Sequence, residues 1–164
     1  LDAHGLQKID LSKEEKSRLG KPSLPRPEMD IFAYDARHNE LIWVECKSYF
    51  DSRGVTLAAL TGEDERSAAR YKVFTNEKFR EIVTQALIKQ ALEQGLCRPN
   101  PTVKYWLVCG KIVKRDKEDL RSHFEEQGWF LRDEEWSKEK IENLAKMRYE
   151  DDIAVIVAKI FARL

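Results

Sequence analysis

Three ionisable side chains decide what chemistry this chain could perform: Asp30, Glu45 and Lys47. They fall between Pro27 and Ser48, where two runs rich in apolar, β-branched and aromatic residues, Met29–Ala36 and Leu41–Ser48, flank polar Arg37–Glu40. That pattern predicts two antiparallel strands joined by a tight hairpin. With His38-Asn39 as the turn, Arg37 faces Glu40, Tyr34 faces Trp43, Phe32 faces Glu45 and Asp30 faces Lys47. Strand side chains alternate with period two, so Asp30, Glu45 and Lys47 emerge on one face. Phe32, Tyr34, Leu41 and Trp43 share that face, and Ile31, Ala33, Val44 and Cys46 occupy the other. Both faces therefore look covered, as in a central strand pair.

Placing two carboxylates and an ammonium in such surroundings costs on the order of several kcal/mol unless the charges are paired or neutralised. A divalent cation between Asp30 and Glu45 would do this, because hard cations take carboxylate oxygens. The Cys46 carbonyl could supply a third oxygen. Lys47 would then be free to orient a water or to stabilise negative charge on a phosphate. The plainer alternative is an ion-pair cluster on a half-exposed hairpin.

At these residues the chain resembles the PD-(D/E)xK nuclease superfamily, with its restriction-endonuclease-like fold. Members carry an acidic residue on one hairpin strand and Glu-x-Lys or Asp-x-Lys on the next, here Asp30 and Glu45-Cys46-Lys47. The resemblance spans Pro27 to Cys109 and implies Mg²⁺-dependent phosphodiester cleavage, with Mn²⁺ as a substitute. Asp30 and Glu45 would be metal ligands and Lys47 would stand beside the attacking water. Glu28-Met29 separates the proline from Asp30, so Glu28 is a further candidate acid. Relatives often place a helix before the hairpin that contributes another Glu, and Glu14 and Glu15 hold that position.

The elements that would carry these residues can be read in order. Residues 1–26 predict a short helix and a Pro-rich linker, with Ser12 and Glu15 forming a capping box and Gly20 ending the helix. Residues 27–164 form the nuclease-like α/β domain. No strand is evident before Asp30. After Lys47, Ser52-Arg53-Gly54 reads as a flexible loop leading into a polar stretch through Thr75, an insertion in which Arg53, Arg70 and Lys72 could grip phosphates. Asn76–Gln94 predicts a helix capped by Asn76 and ended by Gly95, with Phe79, Val83, Ala86, Leu87 and Leu92 on its inner side. Gln85 and Lys89 lie one turn apart on it, and relatives sometimes aim a Gln or Lys from this helix at the site.

Thr102–Cys109 is nearly continuous in apolar residues, which suits an interior strand reached by a helical crossover and so parallel to its partner. A helix over Asp116–Gln127, an edge strand at Trp129–Leu131 and a helix over Ser137–Met147 follow. Asp151–Leu164 carries a wide apolar stripe that must pack on the sheet or on another subunit, the basis for a candidate homodimer. The expected fold is therefore α/β: a mixed central sheet with a catalytic antiparallel hairpin, flanked by helices, as in a restriction-endonuclease-like core.

Composition sets the outer bounds. The chain has 164 residues, 42% hydrophobic and 35% charged, which fits a soluble domain with a substantial core. No apolar run approaches membrane length and no export signal is seen, so a cytoplasmic setting without membrane contact is expected. Cys46, Cys97 and Cys109 read as reduced core thiols. Scattered His4, His38 and His123 give no zinc pattern. The formal net charge is zero, mild evidence against a nucleic-acid partner. From Leu96 to Arg115, however, every charged residue is basic (Arg98, Lys104, Lys111, Lys114 and Arg115), compatible with one DNA-facing surface. Two functions follow: a metal-dependent endonuclease acting on DNA, or a noncatalytic nucleic-acid-binding or scaffold subunit that retains the fold.

Overall fold

The computed structural model describes residues 8–20, 22–49, 51–148 and 152–162. Its centre is the hairpin of β1 (Ile31–Asp35) and β2 (Glu40–Lys47). The turn runs over Ala36–Asn39 rather than through His38-Asn39 alone. Asp35 accepts from the Arg37 amide and pairs with the His38 ring, both at 2.8 Å, which closes the turn early. Asn39 adopts a left-handed φ of 57°, and its side-chain amide donates to the carbonyls of Pro99 and Asn100. The register shifts accordingly. Phe32 faces Trp43, Tyr34 faces Leu41 and Asp35 faces Glu40. The expected Arg37–Glu40 pair is replaced by Lys104–Glu40 at 3.6 Å. The shift preserves the alternation, so the expected faces survive although the facing partners change.

The sheet order is β1-β2-β3-β4, with β3 at Thr102–Cys109 and β4 at Phe130–Arg132. β1 is antiparallel to β2, while β3 and β4 run parallel to their neighbours. β1 is thus an edge strand, and its Ile31 is exposed rather than covered. β2 is central. The long α5 (Glu77–Glu93) makes the crossover to β3, with Asn76 capping the Phe79 amide and Gly95 at a left-handed φ of 68°. Its Val83, Ala86, Leu87 and Ala91 are buried, whereas Leu92 is exposed. With Leu120 and Phe124 of α6 (Lys117–Glu126) they form one core against Leu41, Trp43, Leu107 and Cys109 of the sheet.

The N-terminal segment packs on that same core. Ile9 is fully buried, and its amide donates to Pro27 O beside an isolated antiparallel bridge between Lys8 and Glu28. A single bridge therefore stands where no strand was expected. Helix α1 (Lys13–Arg18) carries the predicted capping box. Residues 1–7, His4 among them, lie outside the described residues.

After β2 the chain is irregular at Ser52-Arg53-Gly54, as expected, but the polar stretch beyond it is helical rather than a loop. Beyond Phe50, itself outside the described residues, the chain forms α2 (Leu57–Thr61), α3 (Glu65–Ala68) and α4 (Lys72–Thr75). Val55, Ala59, Leu60, Ala68, Tyr71, Val73 and Phe74 are all buried. Gly54, at φ 98°, lies so close to Lys111 O that a Cβ would stand 3.0 Å from it, which fits the absence of a side chain there.

On the other face of the sheet, α7 (Glu134–Lys146) begins earlier than Ser137 because Asp133 caps the Trp136 amide at 3.0 Å. Helix α8 (Ile153–Phe161) turns only Val155 and Ala158 fully inward, while Ile153, Val157, Ile160 and Phe161 are exposed. Leu164, the last residue of the expected stripe, lies outside the described residues. Helices thus flank a mixed four-stranded sheet on both faces. Among the described residues, no helix is long and apolar enough to cross a membrane.

Candidate active site

β2 carries Leu41, Trp43, Glu45 and Lys47 on the face that α5 covers. The first two are fully buried, and the two charged residues, at the C-terminal end of the strand, are half-buried. Asp30 sits in the bend just before β1, so its backbone is outside the ladder and its carboxylate is free to turn back on β2. There Asp30 Oδ2 accepts from the Cys46 amide at 2.6 Å. The N–H and C=O of one strand residue point the same way, so the Cys46 carbonyl lies on the edge of β2 that Asp30 occupies.

Lys47 Nζ lies 3.3 Å from Glu45 Oε2 and 4.0 Å from Asp30 Oδ2. The other Glu45 oxygen accepts from the indole N–H of Trp43 at 3.0 Å. The Lys47 ammonium also stands 5.9 Å from the centre of the Tyr71 ring. Tyr71 donates to the hydroxyl of Tyr49, whose backbone is held in the left-handed region at φ 47°. The three residues expected to converge do converge. Their partners differ in detail: Asp30 reaches a backbone amide and Lys47 contacts Glu45 more closely than Asp30.

The electrostatics are unbalanced. Glu45 has a side chain only 15% exposed. Burial pushes its carboxyl above the ordinary range, and the Asp30 charge adds to that, while the Trp43 hydrogen bond and Lys47 pull the other way without prevailing. One ammonium thus serves two carboxylates. Burial, then Asp30, also pushes the Cys46 thiol up.

Asp30 and Glu45, with the Cys46 carbonyl, are the groups that could hold a Mg²⁺-type ion. Such an ion needs only one or two carboxylates, keeping water and substrate oxygens for the rest. The uncompensated negative charge at Glu45 is what a cation would offset. Among the described residues no group of three or more His, Cys, Asp or Glu is placed to hold a metal ion.

Glu45 opens onto a cleft of about 410 Å³ whose walls include Glu28, Trp43, Arg70, Lys72 and Phe79. Two of the three expected phosphate-binding residues, Arg70 and Lys72, therefore share a cleft with a catalytic candidate. They are placed by α3 and α4, elements that local sequence did not reveal. Arg70 also borders a neighbouring cavity of about 220 Å³ that contains Arg53, Tyr49 and Tyr71. Among the described residues none of Arg53, Arg70 and Lys72 has a carboxylate within 4.0 Å.

Other candidates are engaged elsewhere. Glu15 uses its carboxylate to accept from the Ser12 amide at 2.7 Å, closing the capping box. Glu28 lines the cleft but pairs with Lys8 at 3.1 Å. Gln85 borders a different cavity, beside Glu81 and Tyr105. Lys89 is exposed and is not among the residues of the Glu45 cleft. The basic run from Arg98 to Arg115 is largely spent on structure. Arg98 bonds Tyr34 and Ala36, Lys104 pairs with Glu40, Lys111 donates to Ser52 O and Arg115 pairs with Asp116. Trp43 and Tyr71 are the site residues that sequence reading missed. The alternation of β2 put Trp43 beside Glu45, but nothing local signalled that its N–H would find that carboxylate.

Comparison with known proteins finds no matching family model, no similar curated protein and no similar solved structure.

Proposed function

We propose that this chain is a metal-dependent endonuclease of the PD-(D/E)xK type, with a restriction-endonuclease-like core, that hydrolyses phosphodiester bonds in DNA. The observation that carries this reading is the meeting of Asp30, Glu45 and Lys47, with 3.3 and 4.0 Å contacts, of which Glu45 lines a cleft bearing Arg70 and Lys72. Asp30, Glu45 and the Cys46 carbonyl would hold Mg²⁺, for which Mn²⁺ substitutes. When bound, the ion supplies Lewis-acid stabilisation of the phosphate and a more acidic water.

The chain's own residues do the rest. Lys47, held near both carboxylates, presents positive charge where the attacking oxygen and the phosphoryl oxygens must gather. Arg70 and Lys72 hold the flanking phosphates by charge and hydrogen bonding, which orients the strand without reading its sequence.

The test is single-turnover cleavage of bound DNA by Lys47→Ala and Lys47→Arg. Wild-type protein should cut supercoiled plasmid only with Mg²⁺ or Mn²⁺. Both variants should be slower by on the order of a hundredfold or more, since guanidinium cannot occupy the compact ammonium position and small misplacements cost that much. DNA affinity should change little. A wild-type chain that cuts no supercoiled, linear, branched or single-stranded DNA with either metal overturns the reading in favour of a noncatalytic nucleic-acid-binding subunit.

A further inference from the structure

We propose that Trp43 is a positioning residue: its indole N–H fixes the Glu45 carboxylate in the pose that sharing a divalent cation with Asp30 requires. The proposal rests on the nuclease reading above and adds to it a residue outside the acidic-lysine pattern. Trp43 is 1% exposed. It stands on the central strand in register with Phe32 of β1 and Tyr105 of β3, the Tyr105 ring 6.2 Å away. A ring so enclosed has no other rotamer open to it without disrupting the core.

A buried indole has a single donor and usually finds an acceptor for it, although the Trp106 N–H has none among the described residues. Glu45 Oε1, at 3.0 Å, is that acceptor. The bond has two consequences. It satisfies the indole, and it anchors one oxygen of a carboxylate whose own charge is poorly compensated. Oε2 is then left on the side of Lys47 and Asp30, where a shared ion would lie.

Remove the N–H, and in the metal-free protein attraction to the Lys47 ammonium becomes the strongest force on the carboxylate. Glu45 would rotate to give both oxygens to Lys47, which withdraws lone pairs from the ion and Lys47 from the substrate. Hydrogen bonds of this kind to metal-binding groups are worth about 10–100-fold in metal affinity. Packing alone would not produce this effect, because a ring without the N–H fills the same space.

The decisive experiment replaces Trp43 in the full chain with 3-benzothienylalanine, which keeps the bicyclic shape and exchanges the N–H for sulfur. Trp43→Phe serves as a second variant, and Trp106→Phe, on the opposite face of the sheet, serves as control. Mn²⁺ affinity is read from the electron paramagnetic resonance of the free ion, and thermal unfolding checks the fold. The benzothienyl variant should melt close to wild type and bind Mn²⁺ about 10–100-fold more weakly. Its KM for DNA at saturating Mn²⁺ should be unchanged, with any residual loss in kcat. Wild-type Mn²⁺ affinity in the folded benzothienyl variant, or an equal loss in Trp106→Phe, overturns the role of Trp43 alone. A wild-type chain that binds no Mn²⁺ overturns the metal site itself and this proposal with it.

Discussion

Among the described residues two groups of partly buried acids and bases stand out, and they solve the problem of buried charge in opposite ways. Between α6 and α7, Asp133 is buried but accepts from Arg121 at 2.7 Å, lies 3.2 Å from Lys117 and caps the Trp136 amide. Glu134 and Glu135 complete the shell around Lys117 at 3.3 and 2.9 Å. Burial alone would raise the Asp133 carboxyl. The Trp136 amide, Arg121 and Lys117 together outweigh it and hold the group below the ordinary aspartate range. At the end of β2, burial of Glu45 is met by one indole and one shared ammonium, and the carboxyl ends above its ordinary range. The first cluster is finished at Asp133, where two cations and an amide outweigh burial. At Glu45 the partners do not outweigh it, and in the proposed reading a cation would make up that difference.

Breaking the finished cluster should have the largest effect on stability. Asp133→Ala removes a helix cap and two charged hydrogen bonds at once. We expect a loss of about 3 kcal/mol, adding roughly 1 for the cap to roughly 2 for the charged bonds, read from urea unfolding at neutral pH. The same change should leave Mn²⁺ affinity at the β2 site unaltered. If stability hardly moves, the two clusters are not opposites, and Asp133 gains nothing from the partners that surround it.

A smaller effect concerns the free cations. Every basic side chain of the α6–α7 network has carboxylate partners. Arg70 and Lys72 have none within 4.0 Å among the described residues, and they face the Glu45 cleft. Changing both to Gln should weaken DNA binding and reduce the salt slope by about 0.9 for each phosphate left without its cation. Chemistry at saturating DNA should be nearly unaffected. An unchanged slope across a salt series would show that these side chains do not meet phosphate.

The same contrast explains how much can be read from sequence. Strand β3 is legible because a near-continuous apolar run leaves few alternatives, and α5 because Asn76 and Gly95 mark its ends. The catalytic candidates are legible because the register error is one of two residues, which leaves the alternation of faces intact. The register itself is not. It depends on Asn39 reaching Pro99 and Asn100, contacts that join distant parts of the chain. The segment holding Arg70 passes for a loop for a different reason. Its helices are too short to show a period, so buried Leu60, Tyr71 and Phe74 look like isolated apolar residues in a polar stretch. Trp43 falls correctly on its strand, yet its bond to Glu45 depends on a rotamer, which no pattern of residue types contains.

The smallest predicted effect is the most discriminating, because its sign is unusual. Glu45→Gln should make the protein slightly more stable at neutral pH while removing Mn²⁺ binding. The carboxyl of Glu45 is raised in the folded protein above its ordinary value of 4.5, with burial as the leading cause. Between that value and the folded one, the folded state holds more protons than the unfolded state, so wild-type stability falls as pH rises through this window. Above it, the deficit persists. Gln carries no such deficit, and its side-chain oxygen still accepts from Trp43. The melting temperatures of wild type and Glu45→Gln should therefore be close below about pH 4.5, the ordinary Glu value, and separate in favour of the variant as pH rises. Adding Mn²⁺ should close the gap from the wild-type side only, because a bound ion stabilises the state that binds it. If instead Glu45→Gln is less stable at pH 7, the Lys47–Glu45 pair outweighs the cost of burial. The end of β2 would then be a second finished ion network, and the argument for a cation there would lose its electrostatic support.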